Sequence, residues 1–262
     1  MRDTPACELL LRVYGDSLSL PRANDGVGHR QTYAEVLAED IRVRFPAIAL
    51  SLYNRSGGGL TIDALHERYL HDCSYFGTPA HQVLIIQCGI VDCAPRPIPT
   101  FLRAIIGKLP GRVRAPITGF LHRARPQLLG AGFSWRLTTP YRFTKVLVRW
   151  LAHATGTSTR VYVVNIAPAG PGIATHSPGL AASIDAYNAL IAQAVATAVG
   201  SAVLVDVHAA ITSAADVAMY VSASDGHHIT REGNRLYANL ILEYERRRLD
   251  KASAAAVAGG PP

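Results

Sequence analysis

The sequence has no Asp or Glu between Cys93 and Ile184, although twelve arginine and lysine residues lie in that segment. The rest of the chain carries fourteen basic and nineteen acidic residues, so the net charge of +7 arises from this one segment. Such a segment either meets a negatively charged partner or tolerates having no acid of its own. Two interpretations stay open: arginines that cover apolar surface and face solvent, or a surface for an anionic glycan, lipid head group or membrane face.

Long hydrophobic runs are also missing. No window reaches eighteen consecutive apolar residues, which excludes a conventional membrane-spanning helix. Because Arg2, Asp3 and Glu8 precede or enter the first apolar run, we expect no signal peptide and a cytoplasmic protein, with peripheral contact to an anionic membrane as the open alternative. With 49% hydrophobic and 17% charged residues, the chain has the composition of a folded protein and not of a disordered one.

Cysteine is scarce, and Cys7, Cys73, Cys88 and Cys93 lack the spacing of a zinc site. We expect four free thiols in a reducing compartment, and no metal or organic cofactor. The basic segment also lacks a recognition-helix pattern and regularly interleaved aromatic residues. No nucleic-acid partner is therefore expected.

Apolar runs alternate with amphipathic stretches along the chain, and near-continuous Val, Ile and Leu runs between helices are typical of a parallel sheet covered on both faces. The predicted strands are Glu8–Tyr14, Ala47–Tyr53, Gln82–Gln87, Arg160–Ile166 and Ala202–Val207. The predicted helices are Tyr33–Phe45, Leu60–Leu70, Arg142–Ala154, Pro178–Val199 and Thr230–Arg248. We predict a single three-layer α/β/α domain with a five-stranded parallel sheet in the flavodoxin-like order 2-1-3-4-5, whose ligand site lies beyond the carboxyl ends of the strands.

One domain is predicted over residues 1–252. Residues 93–141 interrupt the regular alternation with seven prolines, and their pieces are too short to build a core. We expect this segment to be an insertion that caps the site, with brief helices at Phe101–Leu109 and Ile117–Arg123. The Ala/Gly/Pro-rich residues 253–262 are predicted to be a disordered tail.

The clearest chemical pattern combines a hydroxyl near the N-terminus with a carboxylate and an imidazole near the C-terminus. Ser17 follows the first predicted strand in Gly15-Asp16-Ser17, and Asp225 stands three residues before His228. Serine is a poor nucleophile at neutral pH, so it needs an imidazole to remove its proton and a carboxylate to orient that imidazole. Gly-Asp-Ser by itself is more typical of a turn, but its position directly after a strand favours catalysis.

This chain order, a serine followed much later by Asp-x-x-His on one short loop, resembles the SGNH (GDSL) hydrolase family over most of the chain. The resemblance implies that Ser17 is the nucleophile, His228 the base and Asp225 the acid that orients it. It also implies that the amides of Ser17 and Gly59 bind the oxyanion, because Gly59 aligns with the glycine of the second family block. Further motif residues follow the predicted strands at the same rim and are expected to support the site: Asp16, Asn54, Gly89 and Asp92.

Val91 departs from the family pattern. In Gly89-Ile90-Val91-Asp92 it stands where the family has an asparagine whose amide is the third oxyanion donor. Loss of one such donor in a serine protease costs about 3 kcal/mol of transition-state stabilisation. Either Asn54, Asn165 or a side chain of the insertion replaces it, or the enzyme is slow or inactive.

Three local alternatives stay open. His227 competes with His228 for the role of base, and the glycines before Leu60 are also typical of a plain turn between a strand and a helix. Asp225, His227, His228 and His208 offer metal-binding groups, although their spacing matches no standard zinc pattern.

The resemblance implies a serine esterase that cleaves an acyl or acetyl oxygen ester of a carbohydrate or lipid through an acyl-serine intermediate. The basic segment favours an anionic ester as the substrate. Two other functions stay open: an acyltransferase with the same catalytic residues, or a catalytically weak or inactive protein of this fold that binds an anionic glycan or membrane.

Overall fold

The computed structural model describes residues 7–76, 81–155, 160–200 and 202–257. Within them, five parallel strands form one sheet in the order 2-1-3-4-5, which confirms the predicted topology. The strands are β1 (Cys7–Gly15), β2 (Ile48–Asn54), β3 (Gln82–Gln87), β4 (Arg160–Val164) and β5 (Ala202–Val205).

The described residues also form eleven α-helices. They are α1 (Tyr33–Arg44), α2 (Ile62–Phe76), α3 (Ile90–Cys93), α4 (Thr100–Gly107), α5 (Gly111–Arg123), α6 (Arg125–Gly130), α7 (Pro140–Thr155), α8 (Ile173–His176), α9 (Leu180–Thr197), α10 (Val207–Thr212) and α11 (Arg231–Val257). None of these helices combines the length and the hydropathy that crossing a membrane requires.

Alternation along the strands divides the core into two layers. In β3, Val83 and Ile85 pack with the side chains of α1, α10 and α11, whereas Leu84 and Ile86 pack with those of α2, α7 and α9. Successive side chains of a strand point to opposite faces, so a strand in a sheet covered on both faces must be apolar at every position. All six residues of β3 are buried accordingly, and the predicted α/β/α sandwich is confirmed.

The segment 93–141 contains α4, α5 and α6. α4 and α5 overlap the two brief helices expected there, and α6 was not predicted. α4 and α5 bury no side chain among the described residues. The base of the segment is closed by Arg96 and Trp135, whose backbone groups exchange two hydrogen bonds of 2.8 and 2.9 Å. These short helices therefore lie over the surface of the α/β sandwich rather than inside it.

The predicted end of the last helix is wrong, and several short helices were not predicted. α11 continues to Val257, so residues 253–257 of the expected disordered tail are helical, while 258–262 lie outside the described residues. The alanines of this stretch have high helix propensity, which lets the preceding helix propagate. The short helices α3, α6, α8 and α10 were missed because four to six residues are too few to show helical periodicity.

Candidate active site

The nucleophile candidate lies where β1 ends. Ser17 begins a short 3-10 turn, Ser17–Ser19, and Asp16 caps this turn by accepting the Leu18 amide at 3.0 Å. A Cβ added to Gly15 would lie 2.0 Å from the Ser19 hydroxyl, so a larger residue has no room before the turn. Gly15 and Asp16 thus shape the turn, which leaves Ser17 partly exposed at the carboxyl end of the sheet.

Asp16 is fully buried below this turn. Burial raises the pKa of Asp16 to about 7. The hydrogen bond from the Leu18 amide opposes this rise, and the negative charge of Asp92 adds to it. Desolvation disfavours the ionised form of a carboxyl group. Asp16 therefore holds the turn in place, and it does so without lying in the cavity beside Ser17.

Three side chains from distant parts of the chain meet at one point. Ser17 Oγ lies 2.9 Å from His228 Nε2, and His228 Nδ1 lies 2.6 Å from Asp225 Oδ2. With the imidazole proton on Nδ1, the ring donates to Asp225 and accepts the Ser17 hydroxyl at Nε2. This is the hydrogen-bond chain that activates a serine nucleophile.

Asp225 is held by the loop that carries it. Its Oδ1 accepts the amides of His227 and His228 at 3.1 and 3.0 Å. Burial would raise the pKa of Asp225, but the hydrogen bonds from the His228 ring and amide, followed by the His227 charge and amide, lower it well below its usual range. The carboxylate is therefore ionised at neutral pH, as an acid that stabilises an imidazolium must be.

His227 occupies a different position from His228. Its Nδ1 lies 3.1 Å from the backbone oxygen of Asp225, and its ring faces the cavity beside Ser17. Burial, followed by the neighbouring His228, lowers the pKa of His227 and favours its neutral form. Of the two adjacent histidines, His228 is the one whose nitrogen lies within hydrogen-bond distance of Ser17.

Arg22 is part of this site and was missed from the sequence. Its Nη2 donates to Asp225 Oδ2 at 2.8 Å, and its Nη1 lies 3.2 Å from His228 Nε2. The nitrogen Nε2 has one lone pair, so the guanidinium and the Ser17 hydroxyl compete for it. No motif contains Arg22, and the one local signal is an Arg-x-x-Asp spacing to Asp25.

Asp25 connects Arg22 to the opposite loop. Its Oδ2 accepts Arg22 Nε at 2.9 Å, and its Oδ1 accepts the hydroxyls of Ser222 and Ser224 at 2.6 and 2.8 Å. The loop after the nucleophile and the loop with Asp225 are thereby tied together. This network explains how two ends of the polypeptide are held at hydrogen-bond distance.

No family model matches the sequence, and no curated protein is significantly similar to it. Solved structures match nearly the whole chain. A lipase/acylhydrolase from Enterococcus faecalis has a TM-score of 0.61 and 16% identity over 91% of this chain and 96% of its own. A lipolytic protein of the G-D-S-L family from Veillonella parvula has a TM-score of 0.59 and 13% identity over 90% and 97%. An acetylxylan esterase from Geobacillus stearothermophilus has a TM-score of 0.58 and 13% identity over 93% and 95%.

The chain has the SGNH (GDSL) hydrolase fold. In that fold Ser17, Asp225 and His228 lie beyond the carboxyl ends of the strands, where an open α/β sheet places its ligand site. A cavity of about 620 Å³ adjoins them and is lined by Ser17, Asp225 and His227 together with residues of α3, α6 and α8.

Val91 is the residue that the sequence resemblance places at the position of the third oxyanion donor. Val91 lies in α3, is 8% exposed and lines the cavity beside Ser17. The asparagines considered as replacements do not line that cavity. Asn54 is exposed and accepts the Ser56 amide at 3.0 Å. Asn165 donates to Asp206 at 2.7 Å.

The two glycines singled out from SGNH blocks have different surroundings. Gly89 has φ +121°, and a Cβ there would lie 2.7 Å from Ile166 Cδ1, so the position requires glycine. Gly59 has φ +71°, is exposed and does not line the Ser17 cavity. Its loop does reach the end of β1, since the Gly57 amide donates to the Gly15 carbonyl at 2.9 Å.

Asp92 joins three parts of the rim. Its carboxylate accepts the Ile62 amide at 3.1 and 3.2 Å at the start of α2, and it accepts the Thr138 hydroxyl from the loop before α7. Burial raises the pKa of Asp92 to about 6. The side chain supports the wall that carries Val91 and does not contact Ser17.

A metal could compete with the triad for the same atoms. Asp225, His227 and His228 each offer one ligand atom within 4.8 Å of the others. Both ring nitrogens of His228 already take part in hydrogen bonds, to Asp225 and to Ser17, so a metal bound to His228 would displace one of them. His208, the fourth group considered from the sequence, instead lies 3.4 Å from Asp185.

Proposed function

We propose that this chain is a serine esterase that cleaves an acyl or acetyl oxygen ester through an acyl-serine intermediate. The observation that carries the proposal is the continuous hydrogen-bond chain from Ser17 through His228 to Asp225. The SGNH fold, shared with lipases and an acetylxylan esterase, supports the same reaction class.

In the proposed mechanism His228 removes the proton of Ser17 as the hydroxyl oxygen attacks the acyl carbon. The amides of Ser17 and Gly59 are proposed to bind the oxyanion, which requires the Gly59 loop to face the substrate when it is bound. Asp225 stabilises the imidazolium, and His228 then gives its proton to the leaving alcohol. Water activated by His228 hydrolyses the acyl-serine and restores the free enzyme.

The proposed substrate is a small acyl ester of a carbohydrate or lipid. The cavity beside Ser17 has a volume of about 620 Å³, within the range of pockets that hold small molecules. Apolar side chains, including Ile90, Ile173 and Leu180, line it together with basic ones. A mixed lining of this kind suits an ester with an apolar part and a polar part.

Hydrolysis of p-nitrophenyl acetate by the purified chain tests this function. The esterase proposal expects catalytic turnover in the wild-type protein and only the background rate in Ser17→Ala. Reaction of the ester with surface nucleophiles would persist in both proteins, so the variant serves to subtract it. Equal rates for both proteins contradict the proposal.

An acyltransferase with the same residues is the second candidate, because the segment 93–141 contributes His122, Arg123 and Arg125 to the wall of the cavity, which favours the proposal that this segment caps the site. Shielding from water favours transfer to another alcohol. Products formed in the presence of glycerol separate the two activities: a dominant glyceryl ester indicates transfer, and free acid alone indicates hydrolysis.

A catalytically inactive binding protein is the third candidate, and Val91 is the observation that favours it. Valine cannot donate a hydrogen bond to an oxyanion, and neither asparagine considered as a replacement lines the cavity. The p-nitrophenyl acetate assay also decides this question, since an inactive protein turns over no ester.

Peripheral contact with an anionic membrane is a separate proposal about the surface of α4 and α5. Phe101, Ile105 and Phe120 are 63%, 55% and 61% exposed there, within the segment that lacks acidic residues. Apolar groups beside cations suit a membrane interface. Co-sedimentation with phosphatidylglycerol vesicles, and none with phosphatidylcholine vesicles, is expected; equal sedimentation or none with either contradicts it.

A further inference from the structure

The cavity beside Ser17 has a basic wall formed by Arg96, His122, Arg123 and Arg125. Among the described residues that line the cavity, the one carboxylate is Asp225, which is already bonded to His228 and Arg22. The basic wall therefore faces the cavity without an acidic partner of its own.

Arg96 is the clearest member of this wall. Its Nε is buried and has no hydrogen-bond partner among the described residues, and its Nη2 reaches the Val91 carbonyl at 3.4 Å. Burial, followed by the positive charges of Arg103 and Arg125, lowers the pKa of Arg96 to about 10. The negative charge of Asp92 opposes this shift but has a smaller effect. The guanidinium is still charged at neutral pH, and its Nη1 makes no hydrogen bond to a described residue and so remains available to a ligand.

Arg125 is fixed in place beside Arg96. Its Nη2 donates to the Pro95 carbonyl at 2.8 Å and to the Ser177 hydroxyl at 3.0 Å. Burial and the charge of Arg103 lower its pKa as well. Two half-buried guanidiniums with neutral partners are destabilised by desolvation and mutual repulsion, and a bound anion relieves both.

The basic lining continues beyond the Ser17 cavity. A second cavity of about 290 Å³ lies under α4 and α5, and it shares Arg96, His122 and Arg125 while adding Arg103 and Arg114. Five arginines of the basic segment and His122 therefore line two cavities that share part of their walls. Arginines that merely cover apolar surface would not converge in this way.

We propose that the basic wall is a subsite for a carboxylate or phosphate group carried by the ester that Ser17 attacks. Guanidinium groups bind carboxylates and phosphates through paired charge-assisted hydrogen bonds. Arg96 has a donor that is not used within the described residues. The inference rests on the proposed esterase function, and it adds the substrate class: an anionic ester whose charged group lies against Arg96 and Arg125 while its carbonyl reaches Ser17.

The test compares 4-acetoxybenzoate with 4-acetoxybenzamide, two acetyl esters of similar shape that differ in charge. The wild-type ratio of kcat/KM for the anionic over the neutral ester is the reference. In Arg96→Gln this ratio is expected to fall about tenfold or more, the usual effect of losing one charge-assisted hydrogen bond. Arg112→Gln is the matched control, because Arg112 is exposed on α5 and lines neither cavity.

A ratio in Arg96→Gln equal to that in Arg112→Gln overturns the subsite and leaves the esterase proposal standing. Arg123→Gln, which removes an exposed member of the same wall, repeats the test if Arg96→Gln does not fold. 4-Acetoxyphenyl phosphate, assayed in parallel, shows whether phosphate or carboxylate is the preferred group, and a preference for either supports the subsite.

Calorimetric titration separates this inference from the chemistry. Ser17→Ala protein is titrated with 4-acetoxybenzoate and with 4-acetoxybenzamide. Tighter binding of the anion, lost when Arg96→Gln is added, supports the subsite even if the wild-type chain hydrolyses no ester. Equal binding of both esters, or no binding of either, overturns it.

Discussion

The carboxylate of Asp225 accepts four hydrogen bonds, from the His228 ring, the His227 and His228 amides, and Arg22. At the residue scale, this group decides which nitrogen of His228 carries the proton. An asparagine in its place keeps the shape but presents an amide that does not fix the tautomer.

We therefore expect Asp225→Asn to lower kcat by about 10⁴-fold, as the corresponding change does in a serine protease, with little change in the folded structure. Steady-state kinetics and circular dichroism of the variant measure the two effects. Asp250→Asn, on the exposed side of α11, is the control. A loss of less than tenfold would mean that Asp225 does not orient the base.

Asp25 is expected to act as a positioning residue. Asp25→Ala removes the bonds to Arg22, Ser222 and Ser224. The two loops then lose part of their connection and keep the direct bonds from Arg22 to Asp225 and His228. A misplacement of about 1 Å in an active site costs on the order of 10²-fold, and we expect a loss of this size in kcat with a smaller change in KM.

Asp25→Asn checks this role, because the amide oxygen still accepts the serine hydroxyls. Partial recovery of kcat relative to Asp25→Ala is expected. An unchanged kcat in Asp25→Ala would show that the loops are held by other contacts.

The sequence contained enough to predict Ser17, Asp225 and His228, because each lies in a short motif whose chemistry is recognisable. Arg22, Asp25 and the hydroxyls of Ser222 and Ser224 could not be predicted, since long-range contacts between ordinary loop residues leave no local pattern. Gly59 was aligned from the resemblance, and its role stays a prediction.

At the element scale, the loop between β3 and α3 is a tight connection near the site. Gly89 has φ +121° and lies against Ile166 from the loop after β4. A side chain there strains the backbone and collides with a core residue.

Gly89→Ala is expected to lower the free energy of unfolding by about 1 to 3 kcal/mol, because the native backbone is unfavourable for any residue with a Cβ. Gly107→Ala is the matched control: it lies at the end of α4 with open space around it, and alanine there is expected to be neutral or slightly stabilising. Urea denaturation measures both. Equal stabilities for the two variants contradict this account of the loop.

The strands were predicted well because a buried β3 must be apolar at every position, which leaves an unmistakable run of Val, Leu and Ile. Helix ends were predicted less well. α11 extends nine residues beyond the predicted end at Arg248, since the alanine-rich sequence after Lys251 carries no stop signal before the glycines.

At the scale of the whole molecule, buried carboxyl groups link stability to pH. Burial raises the pKa of Asp16 to about 7. A carboxyl group with a raised pKa in the folded state makes its full contribution to the free energy of unfolding below its unfolded pKa. This contribution is lost as pH rises through the folded pKa. Asp16 therefore stabilises the fold less at pH 8 than at pH 5.

We expect wild-type protein to lose on the order of 2 to 4 kcal/mol of unfolding free energy between pH 5 and pH 8 relative to Asp16→Asn, which does not titrate. The comparison cancels the opposite trend of His227, whose lowered pKa favours stability as pH rises through its unfolded pKa. Asp225, with its strongly lowered pKa, is ionised in both states over this range and adds no trend. Urea denaturation of both proteins at the two pH values measures the difference. Parallel pH profiles would show that Asp16 is ionised in the folded protein throughout.

The strand order could be predicted because parallel strands joined by helices have few arrangements, and the flavodoxin-like one fits five strands. The convergence of arginines on one cavity could not be predicted from the sequence. The distribution of charged residues along the sequence identifies the basic segment, but it does not show in which direction the side chains of that segment point.

Reaction with a fluorophosphonate, followed by mass spectrometry, tests most directly whether His228 makes Ser17 reactive. The account predicts one adduct per chain on Ser17 of the wild-type protein, the same adduct in His227→Ala, and none in His228→Ala. A folded wild-type protein that forms no adduct, or a His228→Ala variant that is labelled as fast as wild type, would contradict it.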